Sequence, residues 1–188
     1  MKSAIWPAPA KLNLMLHITG QREDGYHELQ TVFQFIDFSD EMRFELRDDD
    51  KIVRHSENFD VPESEDISIR AAELLRKEFL LNNPSQQSHF GVDVFLEKKI
   101  PMGSGLGGGS SDAATTLVAL NELWMMGFSV DELARMGLSL GADVPVFVHG
   151  FAAFAEGVGE KLRPVSPAEN WYFVLVPPVH VSTKEVFC

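Results

Sequence analysis

The sequence predicts one α+β domain, because its strand and helix patterns follow one another without regular alternation. Strand-like segments come first, a helical pattern spans 67–79, and a glycine-rich loop precedes two more helical patterns and further strands. A regular βαβ series would instead place a strand after every helix. The composition, 45% hydrophobic and 23% charged over 188 residues, is typical of a globular domain with one core.

Four strands are predicted before the glycine-rich loop. Residues 12–18 alternate leucine or isoleucine with other residues, which predicts a half-buried strand whose leucines face the core. Residues 29–38, 42–46 and 90–96 predict three more strands, from their period of two or their β-branched and aromatic residues. The polar segment 20–25 predicts the loop that ends the first strand.

One turn and two short strands complete this pattern. The acidic run 48–51 predicts a solvated turn between strands rather than a metal site. Residues 151–156 and 172–176 predict the last two strands.

Three helices are predicted. Apolar residues at helical spacing mark 67–79 and 113–124, and the second of these helices is expected to stop at Gly127. Three large side chains near that end are expected to pack in the core: Trp124, Met125 and Met126.

The third helix has a clear start signal. Ser129 is a good N-cap, and Glu132 three residues later completes a capping box. We expect this helix to end at Gly141, since glycine is common directly after a helix.

Charge and cysteine content restrict the function classes. The net charge of −12 disfavours binding to nucleic acid or to an anionic membrane. The only cysteine is Cys188, so no disulfide framework is expected, which is typical of a cytoplasmic protein. The longest apolar stretch, 171–179, contains two prolines and predicts a buried strand, not a membrane span.

The glycine-rich loop at 103–109 has five glycines in seven positions. Glycine loses the most backbone entropy on folding and brings no side chain to pack, so this composition indicates a binding role. Such a loop lets backbone N–H groups approach a ligand, and the helix after it directs its unpaired N–H groups to the same place. The loop therefore predicts a bound phosphate.

Several phosphate-binding motifs contain glycines, and most do not fit here. Residues 103–108 match G-x-G-x-x-G, but the dinucleotide-binding fold needs a strand after the loop's helix, and a second helix follows instead. The Walker A motif needs a lysine that this loop lacks, and the His-Arg-Asp and Asp-Phe-Gly motifs of protein kinases do not occur. A purely structural turn would need only one or two glycines.

The pattern Pro-x-Gly-x-Gly-Leu-Gly-x-x-Ser-Ser over 101–111 resembles the second motif of the GHMP kinases, the superfamily of galactokinase, homoserine kinase and mevalonate kinase. Residues 9–14 resemble the first motif of that superfamily. Residues 20–29 and 140–147 are similar to the branch that acts on 4-diphosphocytidyl-2-C-methyl-D-erythritol in the non-mevalonate isoprenoid pathway. The resemblance covers essentially all 188 residues. It implies a two-layer domain, with a ribosomal-protein-like mixed sheet packed on helices.

The resemblance also implies the activity and the partners. We expect ATP-dependent phosphorylation of a hydroxyl of that small molecule, with Mg²⁺ accompanying ATP but no residue assigned as a metal ligand. Two alternatives stay open: another GHMP kinase with a different small alcohol, and a nucleotide-binding module without catalysis. We expect a monomer or a weak homodimer.

Lys11 and Asp143 are the catalytic residues that the resemblance implies. On the sequence pattern alone, Lys11 could face solvent and Asp143 could be a turn residue. In the kinase interpretation, the carboxylate of Asp143 accepts the proton of the attacking hydroxyl. Lys11 would keep Asp143 ionised and offset charge on the phosphoryl oxygens.

Further binding residues are implied by the same resemblance. The substrate residues are Asn13, Tyr26, His27, Asp143 and Phe187, with the base held between the rings of Tyr26 and Phe187 and hydrogen-bonded to His27.

The ATP-binding residues lie in and just before the loop, and the first of them could equally be a solvated charge. They are Lys98, Pro101, Met102, Gly103, Ser104, Gly105, Leu106, Gly107, Gly108, Gly109, Ser110 and Ser111. Asp112 is expected to tune the helix dipole and not to touch phosphate, which would repel it.

The match also has departures. Residues 65–71 lack an asparagine that is expected near the adenine, and Ser104 stands where close relatives have glycine. We expect 1–170 to form the ATP-binding N-terminal domain and 171–188 to begin a truncated C-terminal domain. The second domain would supply a third glycine-rich motif, so the activity of this chain alone is left open.

Overall fold

A computed structural model describes residues 4–23, 25, 27–55, 61–86 and 89–177. Six strands and four α-helices make up this part of the chain. The strands are β1 (Trp6–Gln21), β2 (His27–Arg47), β3 (Ile52–His55), β4 (Gly91–Glu97), β5 (Ala153–Glu156) and β6 (Lys161–Pro164). The helices are α1 (Ile67–Asn82), α2 (Gly108–Leu123), α3 (Val130–Leu138) and α4 (Val144–His149), with a 3₁₀ turn at Glu63–Glu65.

The long strand β2 organises the sheet. It pairs with β1 along one edge, and along the other edge with β5 near its start and β4 near its end, all antiparallel. Strand β6 pairs antiparallel with β5, and β3 pairs parallel with β4. This one parallel pair makes the sheet mixed, and the helices form the second layer. The predicted α+β class is therefore confirmed.

The main core lies between the sheet and the helices. It contains fully buried side chains of the sheet, such as Val92 and Val94, and of the helices, such as Leu75, Leu117 and Leu120. Burying a side chain of this kind contributes about 1.5–3 kcal/mol each. This layer holds α2 in place, and the glycine-rich loop leads directly into α2.

The strands predicted at 29–38 and 42–46 are not separate. They belong to the single strand β2, which continues through Asp40. Asp40 is fully buried, and its carboxylate accepts hydrogen bonds from Lys98, Lys99 and Ile100. A polar residue that seems to interrupt an apolar pattern can remain within a strand when its hydrogen bonds are satisfied.

The predicted core face of β1 is largely exposed beyond Leu12, which is half-buried and packs on the small cluster of Ala10, Ile100 and Leu106, so that prediction was mostly wrong. Leu14, Leu16 and Ile18 are about two-fifths exposed, whereas Lys11 is buried. The register with β2 shifts between Asn13 and Met15, so that Leu14 is an extra residue that disrupts the alternation. A period of two separates the two faces of a strand, but it does not say which face the helices will cover.

The region after α2 differs from the prediction in several places. The capping box of Ser129 and Glu132 is confirmed, but α3 ends at Leu138 and not at Gly141. Helix α4 was not predicted. Its first five residues are all buried, and this apolar run lacks the polar face by which a surface helix is recognised.

Two predicted burials are also wrong. Trp124 and Met126 are buried as expected, but the side chain of Met125 is 87% exposed and its φ is 52°. The segment 171–177 has no strand partner in the described part of the chain and is exposed along its length. An apolar segment forms a strand only where another strand supplies its hydrogen bonds. Within the described residues, no helix is both long and apolar enough to cross a membrane.

Candidate active site

The glycine-rich loop connects β4 to α2, and three of its glycines are needed for conformation. Gly103, Gly105 and Gly107 have φ values of 69°, 77° and 76°, a region that side chains disfavour. A Cβ on Gly105 would meet nothing within 4 Å, so this part of the loop faces open space. A Cβ on Gly107 would lie 2.8 Å from Cζ of Phe147, so here the backbone must approach its neighbours closely.

The loop is fixed against β1 at one point. The backbone N–H of Lys11 donates to the carbonyl of Leu106 over 2.9 Å, and Leu106 packs with Ala10 and Ile100 in a small second core. Helix α2 then begins at Gly108, and its N-cap Gly107 supplies no side-chain cap. The amino end of α2 therefore presents backbone N–H groups that no capping side chain satisfies.

The structure brings Lys11 and Asp143 together, as the sequence predicts. The ammonium nitrogen of Lys11 lies 3.2 Å from Oδ2 of Asp143 and donates a 2.6 Å hydrogen bond to Oδ1 of Asn13. Asn13 donates to Thr31 over 2.7 Å, and the Thr31 hydroxyl donates to the carbonyl of Met15 over 2.6 Å. These hydrogen bonds fix the rotamer of Asn13, and Asn13 in turn orients Lys11.

The two members of the pair differ in exposure. The side chain of Lys11 is 7% exposed and that of Asp143 is 34% exposed. Asp143 is the N-cap residue of α4, but its carboxylate caps no backbone N–H of that helix. Asp143 does lie in a turn, and its carboxylate in addition pairs with Lys11. Its carboxylate has an ammonium on one side and solvent on the other, so it can accept a proton from a bound hydroxyl.

The loop lies directly over this pair. A Cβ on Gly107 would lie 3.1 Å from Cε of Lys11. A phosphate held by the loop would consequently be close to the Lys11 ammonium. Ser110 and Ser111, both in the first turn of α2, are half-buried and fully buried respectively. The Ser111 hydroxyl has no hydrogen-bond partner among the described residues.

Lys98 has a different environment from the one expected. It is not a solvated charge, because its ammonium lies 2.6 Å from Oδ2 of Asp40 and 2.8 Å from Oδ2 of Asp112. Asp40 and Asp112 are buried. Burial lowers the pKa of Lys98, but the two carboxylates outweigh this effect and the pKa is raised.

Asp112 is more than a residue that tunes the helix dipole. Its burial, together with the nearby charge of Asp40, raises its pKa to about 8, although the ammonium of Lys98 acts in the opposite direction. The sequence pattern missed Asp40 entirely. The only signal in the sequence was an acidic residue between two strand-like segments.

Asp66 lies in the segment 65–71, which lacks the asparagine expected near the adenine. It is buried and is the N-cap of α1. Its oxygens accept hydrogen bonds from the N–H of Ser68 over 2.7 Å and from the guanidinium of Arg54 over 2.8 Å. Its carboxylate therefore holds the start of α1 against β3.

Of the three residues expected to bind cytidine, the structure describes only His27. Tyr26 and Phe187 lie outside the described residues. His27 is the first residue of β2 and is half-buried. Along β2 it precedes Phe33, the partner of Asn13, by six residues, which corresponds to about 20 Å of strand. His27 is therefore not beside the pair of Lys11 and Asp143.

Comparisons with known proteins agree with the motifs. A family model described as the GHMP kinases N-terminal domain matches residues 66–151. Two curated relatives carry the name 4-diphosphocytidyl-2-C-methyl-D-erythritol kinase. The relative from Shewanella loihica is 58% identical over 187 residues, and the relative from Pseudomonas fluorescens is 59% identical over 181 residues.

These alignments cover 99% and 96% of this chain, but only 63% and 62% of the relatives. The chain thus spans less than two thirds of their length. A crystal structure of 4-(cytidine 5′-diphospho)-2C-methyl-D-erythritol kinase superposes with a TM-score of 0.69 and 40% identity, over 87% of this chain and 55% of that one. With the two-layer fold and the motifs at 9–14 and 101–111, these similarities lead to one conclusion. Residues 66–151 of this chain match the N-terminal domain of the GHMP kinases, so the chain carries that domain.

Proposed function

We propose that this chain takes part in the ATP-dependent phosphorylation of a hydroxyl of 4-diphosphocytidyl-2-C-methyl-D-erythritol, in the non-mevalonate isoprenoid pathway. The observation that carries the proposal is the 3.2 Å pair of Lys11 and Asp143 directly beneath Gly107 of the glycine-rich loop. The names of the relatives that are 58% and 59% identical support the choice of substrate.

The loop and the first turn of α2 hold the phosphates of ATP in this proposal. The positive φ values of Gly103, Gly105 and Gly107 leave the backbone without side chains at the places where it must approach the ligand. The amino end of α2 adds unpaired N–H groups and the positive end of the helix dipole. The other proposed contacts in this part of the chain are Lys98, Pro101, Met102, Ser104, Leu106, Gly108, Gly109, Ser110 and Ser111.

Asp143 acts as the general base. The substrate oxygen attacks the γ-phosphorus, the bond from that phosphorus to the bridging oxygen breaks to leave ADP, and the hydroxyl proton passes to the Asp143 carboxylate. Lys11 is already 3.2 Å from that carboxylate and next to the loop, so its ammonium can offset charge on the phosphoryl oxygens. Asn13, which holds Lys11, is also proposed to contact substrate.

The cytidine end of the substrate is proposed to bind at Tyr26, His27 and Phe187. Along β2, His27 lies about 20 Å from Phe33, the residue that pairs with Asn13. This separation suits an elongated substrate with its base at one end and its reactive hydroxyl at the other. Bound with ATP, Mg²⁺ would neutralise phosphate charge. Among the described residues no group of three His, Cys, Asp or Glu side chains is arranged to hold a metal ion, so no residue is assigned to it.

We also propose that 1–170 form the ATP-binding domain and that 171–188 begin a second domain. The support is the exposure of Trp171, Phe173 and Leu175, all three of which are almost fully or largely exposed. Large apolar side chains in a row are normally covered by a partner surface.

Phosphotransfer from ATP tests the proposal. The chain is incubated with CDP-methylerythritol, mevalonate or homoserine, and ADP release is measured beside a binding titration with a non-hydrolysable ATP analogue. Of the three alcohols, we expect only CDP-methylerythritol to be turned over. Turnover only with another alcohol would indicate a different GHMP kinase, and nucleotide binding without any turnover would indicate a binding module.

A further inference from the structure

Two buried carboxylates share one ammonium beneath the amino end of α2. Asp40 and Asp112 lie 2.6 and 2.8 Å from Nζ of Lys98. A Cβ on Gly108 would lie 3.0 Å from the same nitrogen, so this cluster touches the first residue of α2. The cluster is part of the floor of the loop that is proposed to hold phosphate.

One cation does not neutralise two ionised carboxylates. With both ionised, the cluster would carry one net negative charge in a buried place, which is costly. The hydrogen bonds distinguish the two carboxylates. Asp40 accepts from the Lys98 ammonium and from the N–H groups of Lys99 and Ile100 over 2.5 and 2.8 Å, whereas Oδ1 of Asp112 has no partner among the described residues. That free oxygen of Asp112 can carry a proton.

The raised pKa of Asp112 supports a proton on this carboxyl group. Burial and the charge of Asp40 raise its pKa to about 8, and Lys98 is the cation that opposes them. Lys98 directly follows β4 and Asp40 lies within β2, and these two are the charged groups that act on Asp112 in the described part of the chain. The raised pKa therefore favours the neutral acid of Asp112 near neutral pH.

We propose that Asp112 is a positioning residue whose protonation is coupled to the binding of a nucleotide phosphate at the loop. The coupling follows from distance, since Asp112 is the fifth residue of α2 and lies about 6 Å along its axis from Gly108. A phosphate at the amino end of the helix repels an ionised Asp112 and tolerates a neutral one. This inference rests on the proposed function, because it requires a phosphate at that end.

The sign of the pH dependence follows from the coupling. A bound anion raises the pKa of Asp112 above its value in the free protein, so binding takes up a proton wherever the free protein has lost it. Affinity is insensitive to this group below its free pKa of about 8 and falls as the pH rises above it. Asp112→Asn keeps the shape of the side chain and removes the titration.

The test is a calorimetric titration of AMP-PNP into the wild-type chain and into Asp112→Asn, at pH values from about 7.5 to 9. For the wild type, we expect affinity to fall by up to about eightfold over this range. For Asp112→Asn, we expect only the small change that comes from the ligand's own titration. Asp131→Asn, which removes the same charge from an exposed position on α3, serves as the control and should follow the wild type.

A second measurement uses the wild type alone, in case Asp112→Asn does not fold. Binding heats at about pH 8.5, in two buffers with different ionisation enthalpies, give the number of protons taken up. Uptake of a substantial fraction of one proton supports the coupling, and no uptake overturns it. The same pH dependence in wild type and Asp112→Asn also overturns it while leaving the proposed kinase function intact. If the folded wild type binds no nucleotide at any pH, both proposals fail.

Discussion

Lys11 and Lys98 contact neighbouring glycines of one loop, yet their surroundings differ. A Cβ on Gly107 would lie 3.1 Å from Cε of Lys11, and a Cβ on Gly108 would lie 3.0 Å from Nζ of Lys98. Lys11 faces one carboxylate, Asp143, which is about one-third exposed. Lys98 faces two carboxylates that are almost completely buried.

This difference separates an accessible pair from a buried cluster. The carboxylate of Asp143 can meet a substrate hydroxyl, because solvent reaches it and its helix does not use it as a cap. The carboxylates beside Lys98 meet no solvent, so they act only through the backbone and through charge. The same residue types thus form an accessible pair on one side of the loop and a buried cluster on the other.

The largest effect is expected from Asp143→Asn. Loss of the general base should lower turnover of CDP-methylerythritol about 10²–10⁴-fold, while thermal unfolding and nucleotide affinity stay close to those of the wild type. Steady-state kinetics and a melting curve measure both quantities. Near-normal turnover would remove Asp143 from the catalytic role and break the contrast between the two clusters.

Lys98→Met should give the next largest effect, on stability. It leaves Asp40 and Asp112 buried without their cation, and breaking a buried ion pair in this way costs about 3–5 kcal/mol in the free energy of unfolding. Denaturant unfolding measures this change. Lys99→Met is the matched control, since Lys99 pairs with the exposed Glu41, and it should change stability far less. Equal effects at the two lysines would contradict the supporting role of Lys98.

Gly107→Ala should lower stability and nucleotide affinity moderately. Comparison with Gly105→Ala separates the contribution of backbone strain from that of steric contact. Both glycines have φ near 77°, so both substitutions add backbone strain of about 1 kcal/mol. Only the Cβ at Gly107 would also press on Phe147 and Lys11, which should add about 1–3 kcal/mol. Unfolding curves and AMP-PNP titrations of both variants measure the difference. If Gly105→Ala is as harmful as Gly107→Ala, the close contact with Lys11 is unimportant.

Ser129→Ala should have the smallest effect on stability. Because Ser129 lies outside both clusters, this variant is a control for general destabilisation. The hydroxyl of Ser129 accepts from the N–H of Glu132, and losing this cap costs about 1 kcal/mol of stability. Nucleotide affinity should not change. A clear loss of affinity would show that general destabilisation affects the loop, and the affinity results for Gly107→Ala would then need correction for stability.

Local signals were predicted well from the sequence. The capping box of Ser129 and Glu132 was found because both partners lie within one helical turn. The glycine-rich loop was found because its composition is incompatible with packing alone. The proximity of Lys11 and Asp143 is a long-range contact. It came from the family resemblance and could not have come from periodicity.

Features that depend on distant neighbours were missed. The leucines of β1 beyond Leu12 are exposed because the helices cover only part of the sheet and Leu14 is an extra residue in the register. Helix α4 was missed because its apolar residues are buried together and give no amphipathic pattern. The segment 172–176 has strand-like residues but no partner strand among the described residues.

By itself, the sequence determined the α+β class, the position of the glycine-rich loop and the family resemblance, because these depend on composition, local spacing and motif order. Only the tertiary structure decided that Lys98 is buried between Asp40 and Asp112 while Asp143 remains open to solvent. The reason is that burial and charge pairing depend on which segments the fold brings together. Asp40 lies 58 residues before Lys98 in the chain, and nothing in the local sequence relates the two.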